Sequence, residues 1–301
     1  MISPIHRRVF HSFCLVVALS IVSPVGVVGD ESVGSSQAAT VAVAEGSPAG
    51  QLEKQIGDQV SVGDFHGFVQ LEFNLGGVAC KLVSPAASAP NVPWIWRARF
   101  WGHEPQLDVA LLKQGWHVCY CDVADLFGNE TAIKRWDQFY DLSQRIGMHP
   151  KPLLEGMSRG GLIVMRWASA NPNQVSGIYV DNAVMDIRSW PGGKGDGIGA
   201  PRAWKTCLDA YQITEEESKS MEDGPLHRLA GLAKAGVPIF AMINEQDNVV
   251  LPSENSDVLV RRYRKCGGQI RELRRPGLGH HPHSLKDPAP LVEFAVQAVA
   301  N

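Results

Sequence analysis

Three residues far apart in the chain have the types that acyl transfer needs: Ser158, Asp247 and His280. A serine hydroxyl is a weak nucleophile, so it requires a base to take its proton and a third group to orient that base. Ser158 lies in Gly156-Met157-Ser158-Arg159-Gly160, a G-x-S-x-G pattern. The pattern acquires chemical meaning where a strand precedes it and a helix follows, because the strained turn between them exposes the hydroxyl. Asp247 falls in "INEQDNVVLP" and His280 in "PGLGHHPHS", giving the chain order serine, carboxylate, imidazole.

The flanking segments supply that context. "KPLLEGMS" reads as a strand, and Gly160 to Ala170 as a helix ended by Asn171-Pro172. Upstream, "FVQLEFNLGGVACKLV" reads as two strands joined at Gly76-Gly77, followed by strands in "VPWIWRARF" and "WHVCYCDV". Helical patterns cover Glu104 to Gln114 and Thr131 to Ile146, with Thr131 as a candidate cap. Downstream strands are "VSGIYVDNA", "VPIFAMINE" and "QIRELRRP", with helices at Glu254 to Cys266 and Pro288 to Val299. An antiparallel start followed by β-α repeats predicts one mainly parallel α/β sheet with helices on both faces. The alternation lapses around 183–236, an insertion that holds "SWPGGKGDGIGAPRAW" and two short helical pieces. Insertions of this length often build binding surfaces.

Composition narrows the function classes. The chain has 301 residues, 45% of them hydrophobic, which is enough for a sizeable core. Lys and Arg number 28 against 31 Asp and Glu, so no cationic surplus points to nucleic acid. At the N-terminus, Arg7 and Arg8 precede an almost uncharged stretch from Val9 to Val28, interrupted by Ser23, Pro24 and Gly26, with Gly29 before Asp30. That pattern predicts a signal peptide over 1–29 and a secreted or periplasmic protein without stable membrane association after cleavage. An uncleaved anchor is the competing reading, although the apolar run is short for a span. Residues 30–60 read as a flexible linker and 61–301 as the folded domain. Without Cys14, which would leave with the signal, five cysteines remain, so at least one thiol stays unpaired within a monomer. Cys119 and Cys121 do not have the zinc or redox spacing and are expected as buried thiols.

Other constellations are weaker. His280, His281 and His283 could share an ion, but the run offers few ligands, and no Cys pair or H-E-x-x-H accompanies it; no metal site is predicted. Gly195 to Ala200 fits G-x-G-x-x-A without a strand before it or a helix opening within it, so no dinucleotide site is expected. Lys194 precedes glycine where a phosphate-binding loop needs Ser or Thr.

On "GMSRGG", "NEQDNVV" and "GLGHHPH", the chain from about Ser61 to Asn301 resembles the α/β-hydrolases and is similar to secreted esterases and prolyl-oligopeptidase-like hydrolases. The resemblance implies Ser158 as nucleophile, Asp247 as the orienting acid and His280 as the base. His281 is a neighbouring candidate for the base and Asp181 an alternative acid, otherwise shaping the pocket. It also implies an oxyanion hole from the backbone N–H of Arg159 and a donor in the loop after the third strand, with Trp96 or Arg97 as candidates. "NVPWIWRARF" lacks the glycine run of lipases. Arg159 resembles the arginine that follows the serine in glucuronoyl esterases, where a guanidinium could stabilise the oxyanion or bind a carboxylate; the alternative is an ion pair with Glu155 or another acid. The lysine of that fuller motif is missing, because Gly161 stands in its place.

Trp94, Trp96, Trp190 and Trp204 are expected near the catalytic mouth, with Trp190, Trp204, Arg97 and His281 as substrate contacts. Together these features predict an exported α/β-hydrolase-fold serine esterase that needs no cofactor and acts on a small-molecule or polysaccharide ester. A prolyl-oligopeptidase-like peptidase, a glucuronoyl-esterase-like enzyme and an inactive binding module are the alternatives.

Overall fold

The computed structural model describes residues 46–300 apart from Asp223. The predicted signal peptide and the first part of the predicted linker lie outside the described residues. The rest of that linker is ordered: α1 (Pro48–Ile56) starts at Ser47, whose hydroxyl accepts the Gly50 N–H at 3.2 Å. Ala49 and Leu52 of α1 are buried in the main core, so the linker reading of 30–60 fails over this helix. The Ser-Pro start is a helix signal, and Leu52 gives the helix an apolar face to bury.

An antiparallel ribbon follows: β1 (Ser61–Phe65), β2 (Phe68–Leu75) and β3 (Val78–Ser84). The β2–β3 turn places Gly76 and Gly77 at φ 58° and 86°, a conformation that favours glycine at both positions. Then come β4 (Trp94–Arg97), α2 (Gln106–Lys113), β5 (His117–Cys121) and α3 (Glu130–Arg145). Asn129, rather than Thr131, caps α3, accepting the Ala132 N–H at 3.0 Å. The chain continues through β6 (Leu153–Met157), α4 (Gly160–Ala170) and β7 (Gly177–Asp181). After the insertion helices α5 (Pro201–Tyr211), α6 (Glu215–Lys219) and α7 (Leu229–Lys234) come β8 (Ile239–Asn244), α8 (Ser256–Lys265), β9 (Ile270–Arg275) and α9 (Ala289–Ala300).

The strands form one sheet in the order β1-β2-β3-β5-β4-β6-β7-β8-β9. Pairings from β5 through β9 are parallel, as the β-α repeats predict. Helices α2 and α9 pack on one face, while α1, α3, α4, α7 and α8 pack on the other. Burial on both faces explains why β6, β7 and β8 are buried along their whole length.

Strand alternation sends Trp94 and Trp96 into the core beneath α3 and α4. Trp96 stacks on Trp136 at 4.0 Å and meets Trp167 edge-on at 5.1 Å. Neither Trp94 nor Trp96 reaches a catalytic mouth, because both side chains are fully buried. Trp204 is also core: with Cys207, Val184, Ile187, Phe127, Leu162 and Val250 it forms a small separate cluster under the insertion. The insertion therefore has its own apolar interior, which its Gly/Pro-rich sequence conceals. Cys80, Cys119, Cys121 and Cys207 are buried free thiols and Cys266 is an exposed one. Among the described residues, no helix is long and apolar enough to cross a membrane.

Candidate active site

Strand β6 delivers Ser158 into a turn with φ 47°, and α4 begins two residues later. The turn is tied to β7 by the Ser158 N–H donating to the Asp181 carbonyl at 2.9 Å. Its closeness depends on two glycines. A Cβ on Gly156 would come within 3.0 Å of the Gly161 backbone, and one on Gly161 within 2.6 Å of the Ala183 Cβ. Gly160, the last residue of the pentapeptide, would meet only ordinary contacts, at 3.4 Å from the Ala98 Cβ. The crowding at Gly161 also explains why a lysine is excluded there.

Ser158, His280 and Asp247 converge. His280 Nε2 lies 3.0 Å from Ser158 Oγ, and His280 Nδ1 lies 2.7 Å from Asp247 Oδ2. The other Asp247 oxygen accepts the N–H groups of Val249 and Val250, both at 2.9 Å, which fixes the carboxylate after β8. Such a relay can move a proton from the hydroxyl to Nε2 while the carboxylate holds Nδ1–H.

Asp181, at the end of β7, faces a different imidazole. Its Oδ1 lies 3.1 Å from His283 Nδ1, and its Oδ2 accepts the Ser284 N–H at 2.6 Å and the Tyr179 hydroxyl at 2.7 Å. Asp181 is wholly buried, so it makes no substrate contact of its own. His281 is exposed at the rim and does not replace His280 as the serine's partner. Burial and the neighbouring His283, His280 and His103 hold His281 below the usual imidazole range.

The loop carrying these histidines is braced by residues that sequence reading missed. Asn182 donates to the His280 carbonyl at 3.1 Å, and Asn244 to the Gly279 and Pro282 carbonyls at 2.6 and 3.2 Å. Arg275 donates to the carbonyls of Ser284 and Pro282 at 2.7 and 2.6 Å. These braces sit at or just beyond the ends of β7, β8 and β9.

Beside Ser158 lies a pocket of about 340 Å³ lined by Phe100, Trp101, His103, His280, His281 and His283. Phe100 and Trp101 belong to the loop after β4 and were not anticipated. Arg97, expected to contact substrate, points instead under the sheet, where it is 1% exposed. It pairs with Asp108 at 2.6 Å and Glu155 at 3.4 Å. Trp96 is no oxyanion donor either, since it sits inside β4 between two parallel neighbours. Ala98 already donates to the Glu155 carbonyl, so the first N–H groups this loop can offer are those of Arg99 and Phe100.

Arg159 pairs with Asp125 at 3.5 Å, not with Glu155. Its guanidinium sits 5.9, 5.7 and 5.8 Å from the ring centres of Phe100, Phe127 and Trp190. Arg99 adds a second guanidinium 3.9 Å from the same Asp125 carboxylate. Burial, then Arg99, lowers the Arg159 pKa, with Asp125 opposing.

The architecture recurs in solved structures. A Mycobacterium tuberculosis puromycin-hydrolyzing peptidase superposes with a TM-score of 0.57 at 14% identity over 80% of this chain and 39% of its own. A putative dipeptidyl aminopeptidase IV from Bacteroides ovatus gives 0.58 at 12% identity, over 81% of this chain and 36% of its own. A bacterial membrane phospholipase A gives 0.51 at 14% identity, over 84% and 91%. The fold is that of the α/β-hydrolases. This chain spans about two fifths of the length of the peptidases it matches. A scan of protein-family models finds no match, and neither does a sequence search of curated proteins. Within the hydrolase fold, Ser158 occupies the strand-to-helix turn, while Asp247 and His280 follow β8 and β9.

Proposed function

We propose that the chain is an exported serine hydrolase that cleaves an ester through an acyl-enzyme on Ser158. The observation that carries this reading is the Ser158–His280–Asp247 relay, with links of 3.0 and 2.7 Å beside an open pocket. Ser158 Oγ attacks the carbonyl as His280 Nε2 takes its proton. The Arg159 N–H and an N–H of Arg99 or Phe100 receive the developing oxyanion. His280 then protonates the departing alcohol, and water repeats the sequence to release the acid.

The substrate is an ester of a carbohydrate or similar polyhydroxylated alcohol. Phe100 and Trp101 supply aromatic faces in the pocket, and Trp190 flanks Arg159. Trp204 no longer supports this reading, being buried. Arg99 and Arg159 share one carboxylate, which suits an anionic group near the scissile bond. Export rests on Arg7, Arg8 and the apolar stretch that follows. A peptidase reading draws on the similarity of fold to the puromycin-hydrolyzing peptidase and the putative dipeptidyl aminopeptidase IV.

Hydrolysis of para-nitrophenyl acetate, an acetylated polysaccharide, a uronate methyl ester and a proline-containing peptide by wild type and Ser158→Ala tests the assignment. Ester turnover lost in the variant supports it. Turnover of the peptide alone selects the peptidase, and turnover that persists in Ser158→Ala removes the serine mechanism.

A further inference from the structure

We propose that His280, His281 and His283 form a binding site for a transition-metal ion, Zn2+ above all, and that its occupation switches the hydrolase off. Each imidazole offers a ring nitrogen, and the three nitrogens lie within 4.8 Å of one another. The rings are 5.0 to 5.1 Å apart and inclined at 72° to 87°, so they surround a point instead of stacking. Zinc–nitrogen bonds of about 2.0–2.1 Å in a tetrahedron place the nitrogens about 3.3 Å apart, so the cluster tightens on binding, chiefly by movement of the exposed His281.

Two of the three imidazoles are already oriented as metal ligands commonly are. Buried carboxylates hold His280 at 2.7 Å and His283 at 3.1 Å, in each case through Nδ1, leaving Nε2 as the remaining ring nitrogen. A carboxylate behind a ligating histidine fixes its tautomer and raises its basicity. The backbone between the ligands is held by Asn182, Asn244 and Arg275, so the loop is organised before an ion arrives. His103 lies 6.0 and 6.1 Å from the rings of His281 and His283 and offers a fourth ligand; water is the other. All-imidazole ligation without a thiolate suits Zn2+, Cu2+ or Ni2+ better than Mg2+ or Ca2+.

The functional consequence follows from one atom. His280 Nε2, which faces Ser158, is the nitrogen that must accept the serine proton. A metal on that lone pair leaves no acceptor. The inhibitory consequence rests on the serine-hydrolase reading; the binding site itself does not.

The test is calorimetric titration of Zn2+ into the full chain without an affinity tag, for wild type, Ser158→Ala, His281→Ala and His283→Ala. Zinc-dependent loss of ester turnover, reversed by EDTA, is measured in parallel on wild type. One ion per chain is expected in wild type and Ser158→Ala, weakened at least about tenfold by each histidine change. Cobalt(II) in Ser158→Ala should show the intense visible absorption of a low-coordinate site. No binding in wild type, or binding that both histidine variants retain, overturns the site. Because His281 is exposed, its variant keeps the test valid should His283→Ala fail to fold. Binding without loss of turnover overturns the switch. A chain that turns over neither ester nor peptide refutes the hydrolase reading, while the calorimetry still decides the metal site.

Discussion

Asp181 hydrogen-bonds His283 at 3.1 Å and leaves His280 to Asp247. The sheet thus presents two carboxylate–imidazole pairs side by side, one from the end of β7 and one from beyond β8, and only one of them reaches Ser158. Removing each acid should separate their roles. Asp247→Asn is expected to lower kcat by about 10⁴, since the imidazole loses the acceptor that sets its tautomer. Asp181→Asn should cost far less in kcat, acting through the support of His283 and Ser284. Steady-state kinetics on para-nitrophenyl acetate decide it, and equal losses would mean the acids are misassigned.

The glycines around Ser158 are unequal. Gly161→Ala forces a Cβ against Ala183 and the Val184 carbonyl, so about 1–3 kcal/mol of stability should be lost and Ser158 displaced. A displacement on the order of 1 Å lowers turnover about 10²-fold. Gly160→Ala should leave both nearly unchanged, although Gly160 belongs to the G-x-S-x-G signature and Gly161 does not. Thermal melts and kcat on the pair are sufficient to check this.

Burial holds the Glu155 carboxyl well above the usual carboxylate range, against the pull of Arg97. Burial thus disfavours the charged carboxylate, and Glu155→Gln should change unfolding free energy by under about 1 kcal/mol. Arg97→Met leaves Asp108 buried without its cation and should cost about 3–5 kcal/mol. Urea denaturation at neutral pH distinguishes the two; a costly Glu155→Gln would show that the carboxyl is ionised.

His117, buried in β5, titrates at about 4 because burial removes water from the charged ring. Its folded value is depressed, so its contribution to stability is fully present above about 6.5 and fades as pH falls toward 4. The full loss is about 3 kcal/mol from this group. Replacing it with Gln should flatten the pH dependence of stability across that window, whatever the variant costs at pH 7. An unchanged slope would place the acid sensitivity elsewhere.

How much of this was legible depended on how local the signal is. Ser158, Asp247 and His280 could be read because each sits in a short segment whose turn residues and flanking apolar strand are contiguous. Asn182, Asn244 and Arg275 could not, since their partners are backbone carbonyls of a loop far along the chain, and nothing near them in sequence differs from ordinary surface polar residues. Arg97 misled for the opposite reason. A cation at a strand end reads as reaching solvent, but its carboxyl partners come from α2 and β6 and meet it only after folding. Trp204 misled because the apolar cluster it joins is assembled from five separate stretches of chain.

Helix α1 changes where this domain starts. Leu52 fills the face of the sheet beside β3, so a recombinant chain begun at Ser61 would expose that apolar surface and lose the Gln55 contact to Arg145 of α3. Among the described residues, the core-packed structure therefore starts at the Ser47 cap and not at Ser61, and a truncation that removes α1 uncovers part of the main core.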